Sequence, residues 1–305
     1  MSANESYGEA GTVCSEEIQI APGANTIAIM KSIRIIMDTR PFDLSGRNVL
    51  VTGGTSGIGL ACVERLAEYG AKVVATYVEG KEDPETILQG LSKIGDLQLE
   101  PLDLRSGDSI QRCINNVIDQ RGSLEVLVNN AAVGSATVEE WSKDTEEQDS
   151  LMLQINADGT LKMCRHYLDV TAGPGRKIIN LSSVGGGISA FPGFRLSDGM
   201  SKAAVAFLSK QLAAETVFEE VDVFAVCPGA TDTPMFRAST LQKLSTSQES
   251  QFFERLPKKR LIEASEIAAL VHFLATPAST VLHGAVLDAS MGLGVRPGLM
   301  SDRTS

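Results

Sequence analysis

The sequence predicts an α/β fold in which one parallel sheet carries helices on both faces. From Arg47 onward, short runs rich in β-branched residues alternate with longer amphipathic stretches, the pattern of strands joined by helical crossovers. A glycine-rich turn directly after the first run is the second observation, because such a turn begins the first crossover helix of doubly wound sheets. We expect a single domain of this kind over residues 44–305.

Seven runs are interpreted as the strands of one doubly wound parallel sheet. They cover residues 48–52, 72–77, 97–102, 124–128, 177–181, 222–227 and 286–288. The one long segment without a strand pattern, residues 231–260, is rich in Ser, Thr, Gln and charged residues. A loop of this length in a compact domain indicates a functional lid.

Residues 1–43 are interpreted as an N-terminal extension, partly disordered. Its first 20 positions contain four glutamates and no basic residue, the opposite of a secretory or mitochondrial targeting segment, so a cytoplasmic location is expected. The apolar stretch 27–37 is interrupted by Lys31 and Arg34 and falls short of the ~20 apolar residues that span a bilayer. Its spacing fits a strand, a short hairpin or one face of a helix.

Composition narrows the range of partners. The net charge of -11 argues against nucleic acid, whose binding depends on basic surfaces, and favours small molecules or proteins. The five cysteines include no Cys-x-x-Cys pair, and the three histidines lie far apart in the chain. We therefore expect small core residues at the cysteines and no metal site.

The glycine-rich turn occupies residues 53–59, between the first strand and a helical stretch at 60–69. Gly53 and Gly57 let the backbone turn tightly and approach a pyrophosphate, and Gly59 lets the helix and the strand pack closely. The helix N-terminus adds free N–H groups and positive potential. A tight turn that binds nothing is the alternative, but the strand before it and the helix after it favour dinucleotide binding. The predicted contacts are Gly53, Thr55, Ser56, Gly57, Ile58 and Gly59.

Beginning at Thr52, the turn has the form Thr-Gly-x-x-x-Gly-x-Gly and resembles the glycine signature of the short-chain dehydrogenase/reductase family. Five further segments match motifs of that family in the same order, and the resemblance covers about residues 46–292. It implies a Rossmann-like, nicotinamide-binding fold. The further cofactor contacts that it implies are Asp103 and Leu104 near the adenine ring, Asn130 and Ala131 after the fourth strand, and Pro228, Gly229 and Thr231 over the nicotinamide.

The end of the second strand bears on the choice of cofactor. It reads Ala75-Thr76-Tyr77-Val78, without the carboxylate that would take the ribose hydroxyls of NAD. A 2′-phosphate would instead favour an Arg or Lys, and the glycine turn contains neither. The remaining candidates are the Lys81 ammonium and, as a hydrogen-bond donor, the Tyr77 hydroxyl. We expect NADP, with NAD possible.

The resemblance also implies the catalytic groups. In that family a serine binds the substrate oxygen, a tyrosine supplies a proton, and a lysine four residues later lowers the pKa of the phenol and holds the nicotinamide ribose. Ser183 and Lys202 match the serine and the lysine, and Asn156 matches an asparagine that orders a relay water. The tyrosine position holds Asp198, and no tyrosine follows Tyr167.

Each of these residues also has a structural interpretation. A serine hydroxyl at a strand end often bonds only backbone, and an asparagine inside a helix can mark a kink. Asp198, with Ser197, could cap a helix over residues 199–215. As a carboxylate beside Lys202 it would be a base at neutral pH, with a pKa lowered by the ammonium unless desolvation dominates.

The leading functional hypothesis is an NADP(H)-dependent oxidoreductase that acts on a small carbonyl or alcohol substrate. One alternative is a non-redox dehydratase, isomerase or cyclase with Asp198 as base, and another is a catalytically impaired cofactor-binding protein. The helix at 199–215 is the one that the family pairs with its copy, so a homodimer or homotetramer is expected.

Overall fold

The structure is a computed structural model that describes residues 42–296. The predicted extension therefore lies outside the described residues, except for Phe42 and Asp43. Between residues 42 and 296, no helix combines the length and the apolar character needed to cross a membrane.

The seven predicted strands form one parallel sheet in the order β3-β2-β1-β4-β5-β6-β7. Every neighbouring pair is parallel; Val49, for example, lies beside Val73 on one side and Val126 on the other. The strands are β1 Asn48–Val51, β2 Lys72–Tyr77, β3 Leu97–Pro101, β4 Val126–Asn129, β5 Arg176–Leu181, β6 Val221–Pro228 and β7 Val286–Ala289. The predicted fold class is confirmed.

The connections between strands are helical. The helices are α1 Gly57–Glu68, α2 Pro84–Gly90, α3 Gly107–Arg121, α4 Ser135–Trp141, α5 Thr145–Leu153, α6 Thr160–Val170, the irregular turn α7 Val184–Gly187, α8 Leu196–Glu215, α9 Pro234–Ser239, α10 Thr246–Arg255 and α11 Ala264–Ala275. A π-helical segment, Gln154–Gly159, joins α5 to α6.

The two faces of the sheet carry separate cores because side chains alternate along each strand. Val49 and Val51 point to one face, where α1 and α11 pack, while Leu50 points to the other, where α3, α6 and α8 pack. The described cysteines, Cys62, Cys113, Cys164 and Cys227, are all free and buried, as expected for core residues.

The strand order reverses direction at β1, with β2 on one side and β4 on the other. Crossovers after these two strands depart in opposite directions, so a crevice opens above their carboxyl ends. Parallel strands bring all their carboxyl ends to one edge, where the loops bearing the predicted site residues also lie.

Residues 231–260 are largely helical, so the expectation of a loop there is wrong, while the role of the segment as a lid stays a prediction. The segment contains α9, α10 and short 3-10 turns at Leu241–Lys243 and Pro257–Lys259. Thr233 caps α9, and Ser245 forms a capping box with Gln248 at the start of α10. The Ser- and Thr-rich composition that suggests a loop therefore supplies helix caps. Apolar residues of the segment, Phe236, Phe252 and Phe253 among them, pack on a small cluster around Leu241 and Leu256.

Candidate active site

The glycine turn has the geometry of a close-approach loop. Gly53 and Gly57 have left-handed backbone angles, with φ of 62° and 53°, which favour glycine. A Cβ on Gly59 would lie 2.0 Å from the Gly53 carbonyl oxygen and 2.5 Å from Asn130 Nδ2. The left-handed angles make the turn tight enough for a pyrophosphate to approach its backbone, and the absence of a side chain at Gly59 lets the start of α1 pack directly on the turn.

The loop after β4 braces this turn. Asn130 Nδ2 donates to the carbonyl oxygens of Thr52 and Gly53, at 3.0 and 3.1 Å. The Thr52 hydroxyl accepts from the backbone N–H groups of Asn130 and Ala131, at 3.0 and 2.9 Å. Two of the predicted cofactor contacts thus lie directly beside the glycine turn and hold its shape.

Helix α1 begins at Gly57, and the Ser56 side chain at its N-cap makes no capping hydrogen bond. Its first-turn N–H groups are thereby left free of that side chain, which is the arrangement that binds phosphate at a helix N-terminus. Ile58, on the first turn, packs against the core beneath. The residues present fit the pyrophosphate of a dinucleotide.

The predicted adenine end contains a tight ion pair. Asp103 binds the Arg105 guanidinium, with Nη2 and Oδ2 2.8 Å apart, and hydrogen bonds from Arg105 hold the pKa of the Asp103 carboxyl below its ordinary value. Leu104 is buried against the core, and Tyr77 ends β2 beside Pro101 of β3.

A carboxylate that the sequence does not reveal lies at the end of β2. Glu82 belongs to the loop after the strand, yet its Oε1 accepts from the Thr55 hydroxyl at 2.6 Å and its Oε2 from the Val78 N–H at 2.8 Å. Strand β2 itself carries no acid, as expected. The chain reverses direction between Val78 and Glu82, which brings the Glu82 carboxylate back to the end of β2. No local sequence pattern predicts this reversal.

The predicted nicotinamide end is formed where β6 leaves the sheet. Pro228 ends that strand, and the Gly229 N–H donates to Ala289 at 3.2 Å. Thr231 is buried and its hydroxyl donates to the Gly229 carbonyl at 3.0 Å. The Thr231 hydroxyl therefore stiffens this turn.

The helix that follows, α9, lies beside the crevice. A Cβ on Gly57 would lie 3.1 Å from Thr233 Cγ2, and a Cβ on Gly134 would lie 3.0 Å from Met235 Cγ. Helix α9 therefore lies against both the glycine turn and the loop after β4, on the two sides of the strand-order reversal.

Ser183 follows β5 and begins the irregular turn α7. Its hydroxyl oxygen accepts from the Gly185 N–H at 3.2 Å, which orients the group. The neighbouring Ser182 hydroxyl is buried and donates to the Lys202 carbonyl at 2.7 Å, tying β5 to α8. The backbone bond at Ser183 agrees with the structural interpretation and leaves its O–H as a donor.

Asn156 lies inside the π-helical segment, and its side chain is committed to the neighbouring loop. Oδ1 accepts from the Val133 N–H at 2.8 Å, and Nδ2 donates to the Val133 carbonyl at 3.0 Å. The Asn156 carbonyl accepts from the Thr160 hydroxyl at 2.8 Å. π-bulges of this kind accompany functional sites, and here the amide fixes the loop after β4.

Lys202 reaches the carboxyl end of β5, where its Nζ donates to the Leu181 carbonyl at 3.3 Å. Burial lowers the pKa of the Lys202 ammonium, and Asp198 and Cys227 oppose that shift. Burial likewise raises the pKa of Asp198 above its ordinary 3.8, against the opposing charges of Lys202 and Arg195. Desolvation thus dominates at both groups, which is the alternative that the sequence left open, and the charge of Lys202 offsets only part of the rise in the Asp198 pKa.

Helix α8 begins at Leu196, three residues earlier than expected, with Arg195 at its N-cap and no side-chain cap. The expectation that Asp198 and Ser197 cap it is wrong, since Asp198 lies inside the first turn. The start is held from α5 instead: Arg195 Nη2 and the Ser197 hydroxyl both donate to Asp149 Oδ1, at 2.7 and 2.6 Å. This contact fixes where Asp198 lies.

The structure brings Ser183, Asn156, Asp198 and Lys202 to the carboxyl-end edge of the sheet, around β5 and the start of α8. Asn156 Nδ2 lies 3.4 Å from the Ser201 hydroxyl, the neighbour of Lys202. The positioning residue Asp149 and the acid Glu82 were missed by sequence reasoning, because each acts across more than 25 positions of the chain.

Comparisons with known proteins agree with this fold. The family model described as "Enoyl-(Acyl carrier protein) reductase" matches residues 53–294. The chain is 30% identical to a tropinone reductase homolog of Datura stramonium, over 84% of this chain and 95% of the relative. It is 31% identical to galactitol 2-dehydrogenase of Rhizobium johnstonii, over 82% of this chain and 96% of the relative.

Among solved structures, the chain resembles the Pseudomonas aeruginosa RhlG/NADP active-site complex. The TM-score is 0.72 at 29% identity, and the match covers 84% of this chain and 100% of the other. The fold, the site and these matches together show that the chain belongs to the short-chain dehydrogenase/reductase family, whose members are NAD(P)-dependent oxidoreductases.

Proposed function

We propose that this protein uses NADP(H), with NAD(H) as the alternative, to interconvert a small carbonyl compound and its alcohol. The observation that carries the proposal is that the glycine turn and the Ser183–Lys202 pair lie on the same edge of the sheet. Solved relatives in complex with NADP, and with NAD, support the choice of cofactor.

A nicotinamide cofactor bound here would supply or take the hydride, and the chain's own residues would move the proton. Ser183 donates its hydroxyl hydrogen to the substrate oxygen, while its own oxygen is oriented by Gly185. Lys202 binds the nicotinamide ribose and provides positive potential beside the developing alkoxide. Asn156 holds the loop after β4 in place through its two hydrogen bonds to the Val133 backbone.

Asp198 replaces the missing phenol as the source of the proton. Because burial raises its pKa, the carboxyl retains a proton at a higher pH than an exposed aspartate does. The side chain is shorter than a tyrosine, so a water ordered between Asp198 and the substrate completes the path. After transfer, the carboxylate is stabilised by the nearby Lys202 and recovers its proton from solvent.

The test begins with calorimetric titration of nucleotide-free protein with NADPH and with NADH, followed by a panel of aldehydes and ketones read by nicotinamide absorbance. We expect micromolar binding and measurable turnover. Asp198→Asn should lower kcat by about 100-fold or more, the contribution of a positioned acid. Asp169→Asn removes an exposed carboxylate from α6 and serves as the control.

The pH profile identifies the acid. Reduction should slow as the pH rises through the raised pKa of Asp198, because only the protonated carboxyl donates, and Asp198→Asn should lose that limb. Full activity with an unchanged profile in Asp198→Asn would remove Asp198 from the mechanism. Nucleotide binding without turnover of any compound in a broad panel would contradict the redox function.

The raised pKa of Asp198 also favours a second candidate, a non-redox enzyme in which the carboxylate abstracts a proton α to a carbonyl. Product formation without any change in nicotinamide absorbance, abolished in Asp198→Asn, would support it. If the native protein is inert and Asp198→Tyr gains reduction, the chain is instead a catalytically impaired cofactor-binding protein.

We further propose a homodimer or homotetramer in which α8 packs against its copy. Leu196, Met200 and Phe207 lie along one face of this helix and are 82%, 59% and 66% exposed. Large apolar side chains in such a stripe are typical of a protein interface.

A further inference from the structure

Arg195 precedes the first turn of α8, and its guanidinium binds two consecutive residues of α5. Its Nε and Nη2 donate to Asp149 Oδ1, at 2.9 and 2.7 Å, and Nη2 also donates to Gln148 Oε1 at 3.0 Å. Gln148 is buried and is itself anchored, because its amide donates to the Ser142 carbonyl at 2.8 Å. The guanidinium is therefore held in one orientation by several charge-assisted and neutral hydrogen bonds.

Asp149 binds the start of α8 a second time, through Ser197. The buried Ser197 hydroxyl donates to the same Oδ1 at 2.6 Å. Hydrogen bonds from Ser197 and Arg195 hold the pKa of the Asp149 carboxyl below its ordinary value, whereas burial raises the pKa of Asp198. Asp149 is therefore ionised throughout the range in which Asp198 titrates, and it holds the residue directly before Asp198 in the chain.

The charged and titratable groups near Asp198 come from several elements. Between residues 42 and 296 they are Lys202 and Arg195 beside it in α8 and at its N-cap, Asp149 on α5, Glu139 on α4, Lys243 on the 3-10 turn after α9, Cys227 on β6 and Asp288 on β7. Burial raises the pKa of the Asp198 carboxyl, and the two nearby cations oppose that rise. Glu139 Oε1 lies 3.9 Å from Arg195 Nη1, while its Oε2 lies 3.1 Å from Lys243 Nζ. The Arg195 charge is thus offset by acids, chiefly by Asp149.

We propose that Arg195 is a positioning residue for the proton donor: through Asp149 and Glu139 it holds the first turn of α8, and with it Asp198, against α5 and α4. The inference rests on the proposed function, in which Asp198 supplies the proton. The ion pair has an electrostatic effect as well as a geometric one. While Asp149 offsets the Arg195 charge, Asp198 keeps its proton; an uncompensated Arg195 would favour the Asp198 carboxylate and remove the proton donor at a lower pH.

The first test is the pH profile of carbonyl reduction in Arg195→Gln, Asp149→Asn and Arg195→Lys. Reduction requires protonated Asp198, so the rate falls as the pH rises through the Asp198 pKa. Arg195→Gln removes a charge that favours the carboxylate, so this fall should move to higher pH. Asp149→Asn leaves Arg195 uncompensated, so the fall should move to lower pH. Arg195→Lys keeps the charge and should keep the fall near its native position.

Opposite displacements distinguish this role from a merely structural one. A helix start that only loosens would expose Asp198 to water, which lowers its pKa and moves the fall to lower pH in Arg195→Gln and Asp149→Asn alike. Asp149→Ala removes all three hydrogen bonds to Oδ1. It should lower kcat at low pH, where Asp198 is protonated, by roughly 10-fold or more, with KM within about 2-fold of native.

Arg121→Gln is the matched control. Arg121 ends α3 and pairs with Asp96, and the two side chains are 15% and 47% exposed, close to the 18% and 42% of Arg195 and Asp149. Its loss removes an equivalent ion pair from another helix, so the pH profile and kcat should stay native. A profile that moves as far in Arg121→Gln as in Arg195→Gln would overturn the proposal.

The second measurement does not depend on turnover. In nucleotide-free protein labelled with ¹³C at the aspartate carboxyls, NMR follows the titration of Asp198, whose signal is identified by its loss in Asp198→Asn. Midpoints displaced in opposite directions in Arg195→Gln and Asp149→Asn support the role of Arg195. Midpoints that stay native, or that move in the same direction, overturn it. If the native protein reduces no carbonyl while the midpoints move in opposite directions, the proposed function fails and the effect of Arg195 on Asp198 stands.

Discussion

Lys177 is buried at the start of β5, and its ammonium is satisfied by neighbours far along the chain. It contacts the Asp222 carboxylate on β6 and donates to the Thr280 hydroxyl at 3.0 Å, while that hydroxyl donates to Asp222 at 2.8 Å. The side chains of Lys177 and Asp222 are 1% and 14% exposed. At this site, on the sheet edge opposite the candidate active site, a single substitution would leave a buried charge unpaired.

We predict that Asp222→Asn lowers the free energy of unfolding by about 3–5 kcal/mol, the cost of removing one partner of a buried pair. Glu254→Gln breaks an ion pair with Lys259 in which both side chains are 67% exposed, and should cost less than about 1 kcal/mol. Urea unfolding followed by circular dichroism measures both. Similar losses in the two variants would show that burial does not decide the strength of this pair.

At the scale of the element, the glycine turn combines left-handed backbone angles with close packing. We predict that Gly59→Ala abolishes nucleotide binding and lowers stability, because the new methyl would lie 2.0 Å from the Gly53 carbonyl and must displace backbone. Gly107→Ala is the matched control: it begins α3 and a Cβ there meets nothing within 4 Å, so stability should hold or rise by up to about 1 kcal/mol. Calorimetry and thermal unfolding test both, and normal binding by Gly59→Ala would contradict a close-approach role for this turn.

An element is predicted correctly from the sequence when the residues that determine it are neighbours in the chain. The strands were recovered because runs such as residues 72–77 are continuous and β-branched, the pattern of a sheet buried on both faces. The start of α8 was missed because Arg195 offers no side-chain cap, and α10 was missed because Ser245 reads equally as loop or cap. Glu82 was missed because it meets Thr55 only after the chain reverses, which is a tertiary event.

At the scale of the whole molecule, the parallel topology assembles the site from distant parts of the chain. The turn after β1, the loop after β4, the end of β5 and the turn after β6 meet at one edge because every strand runs in the same direction. Helix α8 links that edge to the exterior: Lys202 contacts β5 from one side, while Met200 and Phe207 face outward. Contacts on its outer face can therefore bear on the position of Asp198.

We predict that the native protein sediments as a dimer or tetramer and that Met200→Glu combined with Phe207→Glu lowers its mass toward the monomer. Each glutamate would be desolvated against its own copy across a two-fold axis, which costs more than the apolar contact it replaces. Leu88→Glu, on α2, is the control, because it changes an exposed apolar residue on another helix. Analytical ultracentrifugation measures the oligomeric state, and a monomeric native protein at micromolar concentration would contradict the interface. If the dissociated variant also has a lowered kcat, the contact between copies of α8 affects the active site.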